Sequence, residues 1–297
     1  MHSSKPETGL MEKFKMPAGT SIGHVELQVS NLSGSLKFYQ EILGFKVLDK
    51  TEDIAHLGTA DGGNPLIILF ENKLATPKPF QTAGLFHVAV RVPSRQELGK
   101  VLKQLVEAGK RLQGAANHGV SEALYLADPD GNGLEFYYDL PENQWPWEGN
   151  EVKMITIPLD LKNLLDVAGG GIWAGLHEKT DIGHIHLRVS ELNSAGRFYH
   201  EILGFDITQS SYPGALFLSA GRYHHHIGLN TWAGVGIERP PSDAVGLLNY
   251  SIIIPGKENY NILKEIFLNN KCKVKTDIEW ELITSDQDKN KVLIRFR

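Results

Sequence analysis

A chain of 297 residues, 41% of them hydrophobic, is long enough for two domains that each bury a core. The formal net charge of −5 argues against nucleic acid or an anionic membrane surface as partner, both of which favour a basic face. No stretch approaches the roughly 18 apolar residues that cross a bilayer, and with Cys272 as the sole cysteine there is no intrachain disulfide, so a cytoplasmic protein with a small-molecule ligand is expected.

The first residues, "MHSSKPETGLMEKFKMPAGTS", lack an apolar signal core and read as a loose leader. Residues 22–45, "IGHVELQVSNLSGSLKFYQEILGF", begin with alternating residues and pass into an amphipathic helix over 31–43. "GLFHVAVRVP" at 84–93 opens a second module with its helix over 95–108. Residues 140–180, with "PENQWPWEGN" and "GGGIW", are rich in turn formers and read as a linker folded against the surface by its tryptophans. "IGHIHLRVSELNSAGRFYHEILGF" at 182–205 repeats the first module with 14 of 24 positions identical and a helix over 191–203. "GLLNYSIIIP" at 246–255 answers the second, with a helix over 257–269. Two or three short strands follow each helix, giving four βαβββ modules. The expected class is α+β, with two curved-sheet domains: 20–139 (modules one and two) and 181–297 (modules three and four), joined by the 140–180 linker.

Successive strand side chains point to opposite faces. Ile185, Leu187 and Val189 therefore lie opposite His184, His186 and Arg188, and Val88, Val90 and Val92 opposite His87, Ala89 and Arg91. The apolar faces belong under the helices, which leaves the histidines on the concave side of a curved sheet. Glu135 and Tyr137 share that side, and the "DPDGN" turn at 128–132 fixes the register that aims Glu135 inward. A buried carboxylate is costly without a partner. Joined by one histidine from another module's first strand, His87 and Glu135 make a two-histidine, one-carboxylate triad with three open positions, which suits non-haem Fe(II), with Mn(II) as the alternative. A thiolate zinc site is excluded by the cysteine count.

These residues resemble the vicinal oxygen chelate superfamily, with its glyoxalase/bleomycin-resistance fold, and within it the type I extradiol ring-cleaving dioxygenases, especially the two-domain catechol 2,3-dioxygenase-like proteins. The resemblance covers residues from about 20 to 297. It implies that "GH" at 183–184 (or 23–24), His87 and "DPDGNGLE" at 128–135 supply the metal ligands, namely His184 or its alternative His24, His87 and Glu135. It also assigns Tyr125, ten residues before the ligand glutamate, and His118 in "HG" to the catalytic site, and His226 in "YHHHIGLNTW" to acid/base work.

Module four has Asn249 and Leu293 where module two has His87 and Glu135, so the centre depends on module two. Module three is the expected partner. It offers His226 where module one has Leu66, and His186 where module one has Glu26. By analogy with the family, a small aromatic diol and O₂ react at iron to a ring-opened semialdehyde, as in aromatic hydrocarbon catabolism; a homo-oligomer is compatible with the resemblance. Two rival readings are a glyoxalase-like isomerase or lyase and a non-catalytic protein that binds small aromatics or antibiotics. The first needs a further glutamate, where this chain has Ile68 and Gly228. The second has no need of the triad.

Overall fold

The computed structural model describes residues 14–269 and 281–297. Most of the leader and Cys272 lie outside them. The first module comprises β1 (Ser21–Val29), α1 (Leu32–Lys37), β2 (Lys46–Lys50), β3 (Ile54–Gly58) and β4 (Ile67–Glu71). The second comprises β5 (Gly84–Arg91), α2 (Arg95–Glu107), β6 (Gly114–Asn117), β7 (Ser121–Ala127) and β8 (Gly133–Asp139). Between the halves come the short strands β9 (Trp147–Glu148), β10 (Glu151–Val152) and β11 (Ile157–Pro158), then α3 (Leu161–Ala168). The third module has β12 (Asp181–Arg188), α4 (Leu192–Gly196), β13 (Asp206–Gln209), β14 (Ala215–Ser219) and β15 (Ile227–Asn230), and the fourth has β16 (Gly246–Ile254), α5 (Lys257–Asn269), β17 (Leu282–Ser285) and β18 (Lys291–Phe296).

The strands form two large sheets, and each draws on both halves of the chain. One has the order β17-β18-β16-β1-β4-β3-β2, and the other β11-β6-β7-β8-β5-β12-β15-β14-β13. Module one is thus hydrogen-bonded to module four through β1 and β16, and module two to module three through antiparallel β5 and β12. The apolar strand faces are buried as alternation requires: Val88, Val90, Ile185, Leu187 and Val189 are all fully enclosed. They form one continuous core with α2, α5 and the sheet of modules one and four.

In both copies of the "FY.EILGF" repeat the helix ends in a π-helical turn, Phe38–Ile42 and Arg197–Ile202. A π-turn sets a side chain off the regular helical stripe, a feature common at functional positions. Here Tyr39 reaches out of module one and donates its hydroxyl to Asp128 Oδ2 at 3.1 Å, in the turn before β8. Asp128 also accepts the backbone N–H groups of Asp130 and Asn132 and the Asn132 side-chain amide. The turn that precedes Glu135 is therefore pinned from within and from module one.

The 140–180 segment is more ordered than its composition suggests. Asp160 caps α3, whose Leu164 and Ala168 are buried, and the Leu164 carbonyl lies so close to Gly99 of α2 that a side chain there would collide with it. Trp145 is buried against Tyr223 and His224, as a surface-clamping tryptophan would be. No helix among the described residues is long and apolar enough to cross a membrane.

Candidate metal centre

Strand register in the β7-β8-β5-β12 sheet brings the site together. Tyr125 on β7 pairs with Glu135 on β8, Glu135 with Ala89 on β5, and Ala89 with His184 on β12. These four residues form one row across four strands. His87 pairs with His186 in the row beside it. Ala89, fully buried, places only a methyl group between Glu135 and His184, so its size leaves the centre of the row open.

His87, Glu135 and His184 are buried, and one ligand atom from each lies within 4.8 Å of the other two. Nε2 of His87 is 2.9 Å and Nε2 of His184 3.2 Å from the same oxygen, Glu135 Oε2. The His87 nitrogen is enclosed and close to the carboxylate, yet it has no hydrogen bond and is not aligned to donate one. Two imidazole nitrogens and one carboxylate oxygen converging in this way fit a divalent metal with an open face better than an ion pair. Burial opposes ionisation of Glu135, but the His184 and His87 rings outweigh it and hold the carboxyl well below its usual range. Burial likewise holds His184 down at about 4, against the pull of Glu135, so the ring is in its neutral, metal-binding form near pH 7. His24, the alternative ligand, lies in the other sheet, where its ring meets Ser251.

The triad forms part of the wall of a cavity of about 410 Å³. Tyr125 faces it, and the Tyr125 hydroxyl is 2.7 Å from His118 Nε2. His118 Nδ1 lies 2.9 Å from the Ile155 carbonyl, which can only accept, so Nδ1 carries the ring hydrogen, Nε2 is the acceptor and the Tyr125 hydroxyl donates to it. The linker contributes directly to the cavity through Met154, Ile155 and Thr156, a role its irregular sequence did not reveal.

His226 does not take the place expected of it; His225 lines the cavity instead. The His226 ring lies between Phe205 and Tyr223, with Nδ1 3.3 Å from Ser219 Oγ, and burial pushes it down to about 3. Alternation holds only along an extended strand. Here Arg222 adopts φ +62° and the backbone bends at His224 and again at His226, while β15 begins only at Ile227. The parity of β15 therefore cannot be carried back through the histidine run.

His225 packs against His184 with ring centroids 4.1 Å apart and ring planes tilted by 48°. Its Nδ1 is 2.7 Å from Nδ1 of His224, whose Nε2 is 2.7 Å from Asp139 Oδ1. Hydrogen positions follow from these partners. The Asp139 carboxylate accepts a hydrogen bond from His224 Nε2–H, His224 Nδ1 is then the acceptor for His225 Nδ1–H, and His225 Nε2 is left as a free base. Tyr223 donates to Asp139 Oδ2 at 2.9 Å, and Arg91 joins Asp139 to Asp181. This anchoring network joins residues some 85 positions apart in sequence, and only the adjacency of three histidines hinted at it.

The profile of the glyoxalase/bleomycin resistance protein/dioxygenase superfamily matches residues 21–136 and 181–248. The chain belongs to this superfamily. Catechol-2,3-dioxygenase of Bacillus subtilis (strain 168) is 47% identical over 249 residues, covering 82% of this chain and 86% of that protein. Lactoylglutathione lyase of Neisseria meningitidis serogroup A is 29% identical over 119 residues, 38% of this chain and 86% of that one. A solved structure from Bacillus subtilis subsp. subtilis str. 168 superposes with a TM-score of 0.66 over 95% of this chain and 86% of its own, at 14% identity, and shows the same fold. In this superfamily member a fourth, glutamate ligand of the isomerase kind has no room at Gly228, where a Cβ would come within 2.9 Å of the His186 ring. Ile68, the corresponding residue of module one, lies in the other sheet.

Proposed function

We propose that this chain is an extradiol dioxygenase that opens a catechol-type ring with O₂ at a divalent metal, Fe(II), held by His87, Glu135 and His184. The observation that carries this reading is the convergence of those three ligand atoms on the wall of a largely apolar cavity, with Tyr125 and His225 facing the same space. The 47% identity to a catechol-2,3-dioxygenase supports it. When bound, the metal supplies a Lewis acid with open positions on which a diol and O₂ are brought together.

The protein's own residues do the rest. His225, neutral because burial lowers its pKa well below the usual value, takes the proton of a diol hydroxyl at Nε2 and returns it during ring opening. Asp139 and His224 hold the tautomer that makes this possible. Tyr125, its own ionisation suppressed by burial and by Glu135, stays a hydroxyl whose hydrogen is held by His118 Nε2, and its oxygen accepts a hydrogen bond from a substrate hydroxyl. Phe86 and Phe217 give the space beside the triad an apolar wall, with Trp232 at its rim. Both atoms of O₂ enter the product, and the bond cleaved lies beside the diol, so catechol and O₂ together give a hydroxymuconic semialdehyde of the same total composition.

The test is anaerobic loading with Fe(II), followed by catechol and air in an oxygen electrode. One O₂ per catechol and a yellow product are expected, and Glu135→Ala removes both. Wild-type turnover in Glu135→Ala would overturn the assignment.

A further inference from the structure

This inference rests on the extradiol reading of the same site. Among the described residues, the cavity wall contains neither lysine nor arginine. Its only carboxylate is Glu135, already committed to the triad. Two cations lie nearby but are directed elsewhere: Lys78 donates to the Leu85 carbonyl at 3.0 Å, and Arg188 covers the Phe80 and Phe86 rings and donates to the Phe80 carbonyl. A carboxylate on the substrate would thus enter a low-dielectric wall with no counter-charge, which is strongly disfavoured.

The wall has instead an aromatic end. His186, paired with ligand His87 at 4.9 Å between ring centroids, meets Phe86 at 5.0 Å, Trp232 at 5.3 Å and Phe217 at 5.6 Å. Tyr212 packs on Phe217 and Trp232, and Met154 completes this end. It therefore begins one ring away from the metal ligands. Space agrees with chemistry: a cavity of roughly 150 Å³ is enough to hold one benzene ring, and this one is about 410 Å³.

We propose that the site selects uncharged catechols that carry a second apolar ring, the diol ring lying at the triad and the second ring against Phe86, Phe217 and Trp232. Trp232 is the residue that sets the preference. It is about half exposed at the cavity rim, with Nε1 donating to the Pro213 carbonyl.

The experiment compares catechol, a phenyl-substituted catechol and a carboxymethyl-substituted catechol on the Fe(II)-loaded full chain, by anaerobic calorimetric binding and, separately, by kcat/KM with O₂. The phenyl compound is expected to bind at least tenfold more tightly than catechol, and the carboxymethyl compound at least tenfold more weakly. Trp232→Ala should shrink the phenyl-to-catechol ratio severalfold. Trp232→Arg, at a position open enough to accept a charge, should shift the ranking toward the carboxymethyl compound. Equal affinities, a carboxylate preference in the wild type, or no binding of any of the three would overturn the inference. Selective binding without oxygen uptake would uphold it and overturn the extradiol reading, whereas uptake with all three at equal kcat/KM would do the reverse.

Discussion

Gly133→Ala should empty the metal centre while leaving most of the fold in place. Gly133 is two residues before Glu135 on β8, and a Cβ placed there would lie 2.0 Å from the Phe86 carbonyl oxygen and 3.2 Å from the His87 Cβ. Real Cβ atoms essentially never come within 3.0 Å of such a neighbour, so β8 and β5 must separate locally by about 1 Å. The obstacle is backbone, which cannot swing aside as a long side chain would. Overpacking of this kind costs roughly 1–3 kcal/mol, and a misplacement of about 1 Å at a site can cost on the order of 10²-fold in rate. The same shift parts Glu135 from His87, whose Nε2 and Oε2 are 2.9 Å apart. The assay is iron per chain after anaerobic loading and dialysis, with thermal unfolding measured beside it. The control is Gly131→Ala, in the same turn, where φ is +82° and a Cβ meets nothing within 4 Å. Its cost is backbone strain of roughly 1–2 kcal/mol, with iron retained. Full iron and wild-type turnover in a folded Gly133→Ala protein would refute the reasoning.

Asp139→Asn should leave iron content nearly unchanged but lower turnover, by roughly 10–10²-fold, because an amide no longer enforces the His224 tautomer on which the free Nε2 of His225 depends; loss of iron would mean that Asp139 instead supports the ligands. His225→Gln should cost more, about 10²–10⁴-fold, again with metal retained, while His226→Gln should affect stability rather than chemistry, read as unfolding free energy against kcat. Acid should weaken the fold through His24, which burial, Arg295 and His56 hold at about 4 against 6.5 unperturbed. Below pH 6.5 the unfolded chain binds the proton and the folded chain does not, so this contribution is intact near pH 7 and falls as pH drops toward 4, by up to about 1.4 kcal/mol per unit. Urea unfolding at pH 7, 6 and 5 should show a shallower loss in His24→Gln, and an unchanged slope would contradict this assignment.

The fold was legible because it repeats. Helices expected over 95–108 and 257–269 occur as Arg95–Glu107 and Lys257–Asn269, since both amphipathic stripes are long and regular. The inward aim of Glu135 and His87 was legible too, because both sit within straight strands where alternation is a geometric necessity. The exchange of His226 for His225 was not, since a left-handed Arg222 precedes that run and bends at His224 and His226 break its continuity with β15. Nor did any local pattern reveal that Tyr39 anchors Asp128 or that Met154 and Ile155 wall the cavity. Those contacts join segments distant in sequence, Tyr39–Asp128 even spanning the two sheets, and no local pattern encodes them.

The pairing of module two with module three makes the two-half assembly of the metal centre measurable at single histidines. Iron per chain should be measured for His184→Ala and His24→Ala after identical anaerobic loading, with His87→Ala as the control that fails in any arrangement. His184→Ala is predicted to lose tight iron binding together with oxygen uptake, and His24→Ala to keep both. Retention of iron by His184→Ala with its loss from His24→Ala would contradict the account and would place the centre between modules one and two.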